Sequence, residues 1–225
     1  MNEAIKHVSP GIILILTENQ ICGTWLLLNG SSCMIVEVPP RSNKLNALVP
    51  AELISQYLYK HKIKPIGITV SHHHWDHLDG INSYREKLTP YLPFDWICHE
   101  SLIKRVPSVR KFFTTIFKEP VFKMNIEGEP AYLIYAPKHS ETDILIIFRG
   151  AMITGDWWLG SGDPNPNNIS PLVSITSINR VLEFLTMNSY HIHSLFSVHG
   201  NDFRYQQNVE ELLKQTRKYH ESKTM

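Results

Sequence analysis

The first half of the chain begins with short apolar runs and then changes to a helical spacing of apolar residues. Three runs rich in β-branched residues are separated by turn signals such as the stretch 29–32, which predicts a meander of antiparallel strands. The segment from Ala47 to His61 has apolar residues at helical spacing, so a first helix should follow this sheet. The three predicted strands are Ile12 to Thr17, Thr24 to Asn29 and Cys33 to Val38.

A strand of the buried type runs directly into a polar cluster in the middle of the chain. The run from Ile66 to Val70 is rich in apolar β-branched residues, and the mainly polar segment 71–77 follows it without a break. A short helix is expected from Asn82 to Leu88. A second, longer helix is expected from Ser101 to Phe117, which Pro107 should kink or split. The polar cluster should therefore lie at the C-terminal end of a strand.

The second half of the chain resembles the first half repeated. Four apolar runs predict a second strand-rich block, followed by a helix near Ile175 to Met187, a strand from His193 to Val198 and a helix from Asn208 to Tyr219. Two sheet blocks, each followed by helices, predict an α/β protein in which two mixed sheets flanked by helices form a four-layer αβ/βα sandwich. No linker divides the chain, so we predict one domain over residues 1–225. The four strands are Val121 to Ile126, Ala131 to Tyr135, Asp143 to Phe148 and Ala151 to Thr154.

Composition and charge narrow the class of partner. The chain has 225 residues, 43% of them hydrophobic, which is enough to bury a substantial core. Its 22 Lys and Arg residues nearly balance its 21 Asp and Glu residues, so no net charge attracts nucleic acid or an anionic membrane surface. We therefore expect a small-molecule substrate, with no nucleic-acid or membrane partner, and leave a homodimer open.

The cysteines and the N-terminal segment bear on the cellular compartment. Cys22, Cys33 and Cys98 are odd in number, lie in apolar segments and form no C-x-x-C pair, which is typical of reduced core residues. The apolar run near the N-terminus is too short for the hydrophobic region of a signal peptide, and no segment reaches membrane-spanning length. We expect a cytoplasmic protein.

Four ligand-type side chains follow the strand that ends at Val70. His72 and His74 alternate on an extended segment and can project to one face, while Asp76 and His77 follow as the chain turns toward a helix. Imidazole nitrogens and carboxylate oxygens suit Zn²⁺ and comparable first-row metals. A run of histidines alone is more often an ordinary polar loop, so a metal site requires further ligands elsewhere in the chain.

Three further ligand-type residues each follow a later apolar run. These residues are His139, Asp156 and His199. Because the ends of neighbouring strands meet on a common rim of a sheet, the seven residues can converge, and they are enough for two metal ions. His73 should face away from its neighbours, and we do not count it as a ligand.

The complete pattern resembles the metallo-β-lactamase-fold hydrolase superfamily. The superfamily signature H-x-H-x-D-H appears at residues 72–77. The later ligands match in type, order and approximate spacing, with His139 in Ala-Pro-Lys-His-Ser, Asp156 in Thr-Gly-Asp and His199 in Val-His-Gly. The resemblance spans nearly the whole chain, and it implies the fold of that superfamily.

The resemblance also implies a centre of two divalent metal ions, zinc in the first place, with manganese or iron as alternatives. In such centres the metals stand about 3.5–4 Å apart and share a hydroxide that attacks the substrate. Asp76 would both bind a metal and orient this nucleophile, and Asp156 would bridge the two metals. The remaining roles that the resemblance implies are His72, His74 and His139 at the first metal, and Asp76, His77 and His199 at the second.

Three tryptophans near the expected ligands are candidates for binding an apolar substrate. Trp157 and Trp158 directly follow Asp156, although large aromatic residues after a strand are as often core residues. Trp75 lies between two expected ligands, where the superfamily usually has a small residue. Asp79 stands where the superfamily usually has a glycine, and it could cap the following helix or contact a ligating histidine.

The ligand set favours one functional branch of the superfamily. Retention of both Asp76 and Asp156 is similar to the glyoxalase II and lactonase-like branch, whereas secreted β-lactamases lack the bridging aspartate. The leading hypothesis is a dinuclear metal-dependent hydrolase that cleaves a small ester, thioester or lactone. The alternative from another class is a persulfide dioxygenase-like oxidoreductase with one non-haem iron held by His72, His139 and Asp156. A phosphodiesterase and a non-catalytic metal-binding protein are further alternatives.

Overall fold

The computed structural model of the protein describes residues 5–16, 22–43, 49–157, 159, 167–199 and 202–224. The predicted meander is present within these residues and opens a seven-stranded sheet. The first four strands pair antiparallel with one another, and the fourth to the seventh pair parallel, since longer connections return the chain to the same end of the sheet each time. In spatial order the strands are β1 (Ile5–Ser9), β2 (Ile12–Ile15), β3 (Thr24–Asn29), β4 (Ser32–Val36), β5 (Lys64–Thr69), β6 (Asp95–His99) and β7 (Thr115–Phe117).

The helices that cover this sheet begin and end at residues that limit helix growth. Helix α1 (Pro50–His61) has a proline in its first turn, where no backbone N–H is needed, and ends at Lys62 in a left-handed conformation. Residues 44–48 lie outside the described residues, and they include the first two residues of the predicted helix, Ala47 and Leu48. Two short helices follow β5, namely α2 (Trp75–Leu78) and α3 (Ile81–Leu88).

The predicted helix from Ser101 to Phe117 is wrong beyond Arg105, whereas the predicted break at Pro107 is confirmed. Helix α4 covers only Glu100–Arg105, a 3₁₀ segment covers Pro107–Phe112, and the last three residues form β7. The proline has no backbone N–H to donate, and its ring excludes the preceding residue from helical geometry, so Val106 has φ −128° and ψ 75°. The break turns the chain so that β7 can pair with β6.

The second sheet is also mixed and has six strands among the described residues. All of its neighbouring strands pair antiparallel except β11 and β12, which are parallel and joined by helix α5 (Pro171–Met187). Helix α6 (Val209–Glu221) follows the last strand. In spatial order the strands are β13 (Phe203–Arg204), β12 (Ser194–Ser197), β11 (Ala151–Gly155), β10 (Ile144–Phe148), β9 (Glu129–Tyr135) and β8 (Val121–Ile126).

Three hydrophobic clusters separate four layers. One cluster joins the first sheet to α1, α3 and α4, a second lies between the two sheets around Trp25 and Phe196, and a third joins the second sheet to α5 and α6. This arrangement confirms the predicted four-layer sandwich of two mixed sheets flanked by helices. The cysteines are all buried and free, as expected for core residues. None of the described helices has the length and apolar character needed to cross a membrane.

The two sheets meet at the edge where their parallel strands end. The polar segment 71–77 follows β5, while Asp156 follows β11 and His199 follows β12. Backbone hydrogen bonds join the sheets at this edge. The N–H of Ile144 donates to the carbonyl of Ser71 at 2.8 Å, and the N–H of Gly23 donates to the carbonyl of Val198 at 3.1 Å. Residues distant in sequence are therefore held close together at one rim of the molecule.

Candidate metal centre

The structure brings all seven predicted ligands together at this rim. They fall into two groups, and within each group one nitrogen or carboxylate oxygen per residue lies within 4.8 Å of the others. The first group comes from the segments after β5, β9 and β11, and the second from the segments after β5 and β12. The groups are His72, His74, His139 and Asp156, and then Asp76, His77 and His199.

Three imidazoles of the first group face one another through defined nitrogens. The Nδ1 atom of His74 lies 2.9 Å from Nε2 of His72 and 3.2 Å from Nε2 of His139. The three rings meet nearly edge to face, with interplanar angles of 79° to 83°. Nitrogen donors at this separation and orientation suit a single divalent ion of the zinc type.

Asp156 directs its two carboxylate oxygens at different groups. Its Oδ2 atom lies 3.9 Å from Nε2 of His72 and 3.6 Å from Nε2 of His139. Its Oδ1 atom lies 2.7 Å from Nε2 of His199 and 3.5 Å from Nε2 of His77. One carboxylate oxygen therefore faces each group, which is the geometry that a residue shared between two metal ions requires.

The electrostatics of the first group favour neutral imidazoles. Burial lowers the pKa of His139 to about 4, and burial together with the neighbouring His77 holds the pKa of His72 well below its ordinary value. Burial also lowers the pKa of His74. A neutral imidazole has the free lone pair that a metal ion requires, so these three side chains are suited to ligation near neutral pH.

Asp156 and His77 lie where the two groups meet, and nearby polar and charged side chains shift their pKa values against the effect of burial. Burial acts to raise the pKa of Asp156, but hydrogen bonds from His199 and His77 hold it well below its ordinary value. Burial acts to lower the pKa of His77, yet its neighbours Cys22, Glu37 and Asp156 hold it well above the ordinary value. Asp156 is therefore a carboxylate, and its two oxygens attract the imidazoles on either side of it.

The donor set fits divalent first-row metal ions. Imidazole nitrogen and carboxylate oxygen are the donors that zinc accepts alongside thiolate, and both kinds are present in each group. Manganese and iron accept the same donors, so the chemistry of the site does not choose among these metals.

The loop that presents His139 is held by one buried carboxylate. Oδ2 of Asp143 accepts hydrogen bonds from the backbone N–H groups of Lys138, His139 and Ser140 at 2.9, 2.6 and 2.8 Å. Its Oδ1 accepts from the Ser140 hydroxyl at 2.6 Å. The side-chain amide of Asn167 donates to the His139 carbonyl at 2.6 Å, so the segment before α5 also holds this loop in position.

Glu37 is a site residue that the sequence reasoning missed. Its side chain is fully buried, and its backbone has φ 75°, a left-handed conformation that costs a residue with a side chain about 1–3 kcal/mol. Its Oε1 lies 3.3 Å from Nδ1 of His77, and its Oε2 accepts a hydrogen bond from the Ser71 N–H at 3.0 Å. The available signal was an acidic residue at the end of the apolar run from Cys33 to Val38, the same signal that identified the ligands.

The predicted substrate-binding tryptophans differ in their surroundings. The side chain of Trp75 is 55% exposed next to two ligands, at the start of α2. Trp157 is 2% exposed, donates its indole N–H to the Ala136 carbonyl at 2.7 Å and belongs to the third hydrophobic cluster. Trp158 and most of the loop that follows, residues 160–166, lie outside the described residues.

Three further residues near the ligand segment, His73, Asp79 and His99, have different contacts. His73 faces away from the two groups and lies 3.0 Å from the hydroxyl of Thr142 through its Nδ1. Asp79 is the C-terminal cap residue of α2 and forms no cap for α3, whose N-terminal cap residue is Gly80 and which has no side-chain capping bond. His99 caps α4 by accepting a hydrogen bond from the Ser101 N–H. Of these three residues, only His99 caps a helix through its side chain.

The sequence was compared with protein-family models and with characterised proteins. No protein-family model matches the chain. The lactamase-like protein ptaB of Pestalotiopsis fici (strain W106-1 / CGMCC3.15140) is 26% identical over 166 residues, which cover 70% of this chain and 48% of that protein. The chain thus spans about half the length of this relative.

Solved structures agree over almost the whole chain. The DIM-1 metallo-β-lactamase superposes with a TM-score of 0.72 at 14% identity, covering 97% of this chain and 96% of that one. TMB-1 gives a TM-score of 0.71 at 16% identity, with 98% of both chains covered. The sec-alkyl sulfatase PisA1, as a double mutant, gives 0.68 at 11% identity, covering 97% of this chain and 41% of that one.

The fold and the clustered donors define a metallo-β-lactamase-fold protein with a candidate metal centre. The fold that the sequence resemblance implied is therefore confirmed.

Proposed function

We propose that the protein is a dinuclear metal-dependent hydrolase whose substrate is a small ester, thioester or lactone. The observation that carries this proposal is the arrangement of Asp156, whose two carboxylate oxygens face two complete groups of donors. A centre for one metal ion would need only one of these groups. Proteins with the same fold include a metallo-β-lactamase and a sec-alkyl sulfatase, which also supports hydrolysis but does not select a substrate.

The proposed division of work follows from the positions of the side chains. His72, His74 and His139 would hold one ion, Asp76, His77 and His199 would hold the other, and Asp156 would touch both. Bound there, two divalent ions would supply Lewis acidity for the substrate oxygen and make water acidic enough to act as a nucleophile near neutral pH.

Asp76 is the residue we assign to proton handling. Its side chain is 14% exposed, and its Oδ2 lies 3.5 Å from Nε2 of His77, so it reaches the second group while it remains accessible from solvent. A carboxylate in this position can orient a water molecule and accept a proton from it. Trp75, exposed beside Asp76, offers an apolar surface for the non-reacting part of the substrate.

Metal content and substrate specificity together test this function. Elemental analysis of untreated protein should find two zinc or manganese ions per chain, and a panel of thioesters, lactones, esters and phosphodiesters should include a substrate that requires them. His74→Ala should abolish this activity. The matched control is His73→Ala, since it changes the neighbouring histidine that faces Thr142 and no ligand.

Other results would replace the proposal. One iron ion per chain together with oxygen uptake would identify a dioxygenase-like enzyme held by the first group alone. Preferential cleavage of phosphodiesters would change the substrate class. Purified protein that holds no metal at all would identify a non-catalytic member of the fold.

A further inference from the structure

The Nδ1 atom of His77 has three neighbours that compete for it. Oε1 of Glu37 lies 3.3 Å away, the Ser71 hydroxyl oxygen 3.4 Å away and the Cys22 sulfur 3.7 Å away. The Cys22 thiol donates to the carbonyl of Gly23 at 3.3 Å. Glu37 is therefore both the nearest of the three neighbours and the strongest acceptor among them.

The Ser71 hydroxyl also has a second partner, the ring of His72. It lies 2.9 Å from Nδ1 of His72, which is shorter than its distance to His77. Because His72 directs its Nε2 into the first group, its Nδ1 is the nitrogen left to carry a proton, and Ser71 is the acceptor for it. His77 must then find its acceptor in Glu37.

Glu37 can fill this role only because its other oxygen is already held. Its Oε2 accepts the backbone N–H of Ser71 at 3.0 Å, which fixes the carboxylate beside the ligand segment. The carboxylate and the His77 ring are both fully buried, so water does not compete for either group. The two halves of the centre are therefore supported differently, by the Ser71 hydroxyl behind His72 and by the Glu37 side chain behind His77.

We propose that Glu37 is a positioning residue that keeps the proton of His77 on Nδ1 and so directs the lone pair of Nε2 at the second metal ion. This inference rests on the proposed dinuclear centre. The carboxylate raises the basicity of the ring that it faces, and partners of ligating histidines typically change metal affinity by about 10–100-fold.

Glu37→Gln replaces a hydrogen-bond acceptor with a donor at the contact with Nδ1 of His77. The single amide oxygen must remain on the Ser71 N–H, so the amide NH₂ turns toward Nδ1 of His77. Two donors cannot face each other, and the ring is driven to the tautomer that has its proton on Nε2. That tautomer presents no lone pair to the second metal ion.

Paired backgrounds separate this effect from general destabilisation. His139→Ala removes a first-group donor, and His199→Ala removes a second-group donor, so each background reports on one site. Zinc affinity is measured by competition with a chromophoric chelator. Adding Glu37→Gln should weaken zinc binding about 10–100-fold in the His139→Ala background and leave it little changed in the His199→Ala background.

Glu127→Gln is the matched control. Glu127 also has a left-handed backbone, with φ 47°, and also accepts hydrogen bonds from a backbone N–H and from hydroxyls, those of Ser31 and Ser32. It touches no ligand in these contacts, so zinc affinity should not change. If Glu37→Gln fails to fold, Glu37→Asp gives the same test, because the shorter carboxylate cannot reach both Ser71 and His77.

The possible outcomes distinguish the inference from the function on which it rests. Wild-type protein that holds no second metal ion would overturn both. Wild-type protein with two zinc ions, combined with equal losses in both backgrounds or with no loss in either, would overturn the role of Glu37 alone. Unchanged second-site affinity in Glu37→Asp would do the same.

Discussion

Gly155 is the residue at which the second sheet touches the ligand segment of the first. It ends β11 with φ 54°, and a Cβ atom there would lie 2.5 Å from the Ser71 hydroxyl oxygen and 2.8 Å from the Ser71 Cβ. Ser71 supports the ring of His72 through its hydroxyl. A side chain at residue 155 would thus meet both a backbone penalty and a steric conflict behind a ligand.

Gly155→Ala should lower both stability and first-site metal affinity. Alanine in a left-handed conformation costs about 1–2 kcal/mol, and displacement of Ser71 adds to this cost and moves His72. Gly128→Ala is the control, since Gly128 also has a positive φ, 93°, but has nothing within 4 Å of the added Cβ. Urea unfolding and zinc titration measure the two effects. A Gly155→Ala protein with wild-type zinc affinity would show that this contact does not support the site.

The ligands could be predicted from the sequence because each is a polar residue that ends an apolar run. Glu37 satisfies the same description, but the partner that explains it, His77, lies far along the chain. Its left-handed backbone also has no signature in the sequence, since glycine usually occupies such positions. A buried carboxylate supporting a ligand is therefore visible only once β4 and β5 are paired.

At the scale of elements, the segment 138–143 is a loop whose shape depends on one side chain. Asp143→Ala removes the acceptor of three backbone N–H groups in a buried loop, and unsatisfied buried donors of this kind cost about 1–3 kcal/mol. Urea unfolding of metal-free protein should show this loss of stability, and zinc binding should weaken because His139 is no longer fixed.

Asp95→Ala is the comparison for this prediction. Asp95 accepts a hydrogen bond from the Thr114 hydroxyl at 3.1 Å on the exposed surface, so its loss should change the unfolding free energy by less than about 0.5 kcal/mol. Equal stability of the two variants would contradict the proposed role of Asp143.

Strands were predicted more reliably than the helices of the first half. The apolar runs of β2 to β5 and β8 to β12 are short and end at clear turn signals, and the structure has a strand at each of them. The stretch from Ser101 to Phe117 combines three phenylalanines with basic residues, which imitates an amphipathic helix. The last three residues of this stretch form a strand because β7 pairs with β6. This pairing is a tertiary contact, which the local spacing of apolar residues does not reveal.

At the scale of the whole molecule, the candidate centre lies at the junction of the two halves. The ligands from residues 72–77 follow a strand of the first sheet, whereas His139, Asp156 and His199 come from the second half. Pairwise contacts between the halves at this rim include the hydrogen bond from Ile144 to Ser71. Association of the two sheets therefore assembles the centre, and neither half contains a complete group of donors.

The stability of the whole chain should also depend on pH through histidines that are buried uncharged. Burial lowers the pKa of His220, in the last turn of α6, to about 4, from an ordinary value of 6.5. Between pH 6.5 and about 4 the unfolded chain binds a proton at this residue that the folded chain does not bind. The unfolding free energy therefore rises with pH across this window, and the contribution of His220 is lost as the pH falls from 6.5 toward 4.

His220→Gln should flatten this dependence, because glutamine does not titrate. With a chelator present to remove metal, the Tm of the wild-type protein should fall between pH 7 and pH 5 by about 4–8 °C more than the Tm of the variant, equivalent to about 2 kcal/mol for a chain of this size. The carboxylates titrate in both proteins, so their effect cancels in the difference. Parallel Tm curves for the two proteins would show that His220 is protonated as readily in the folded chain as in the unfolded chain.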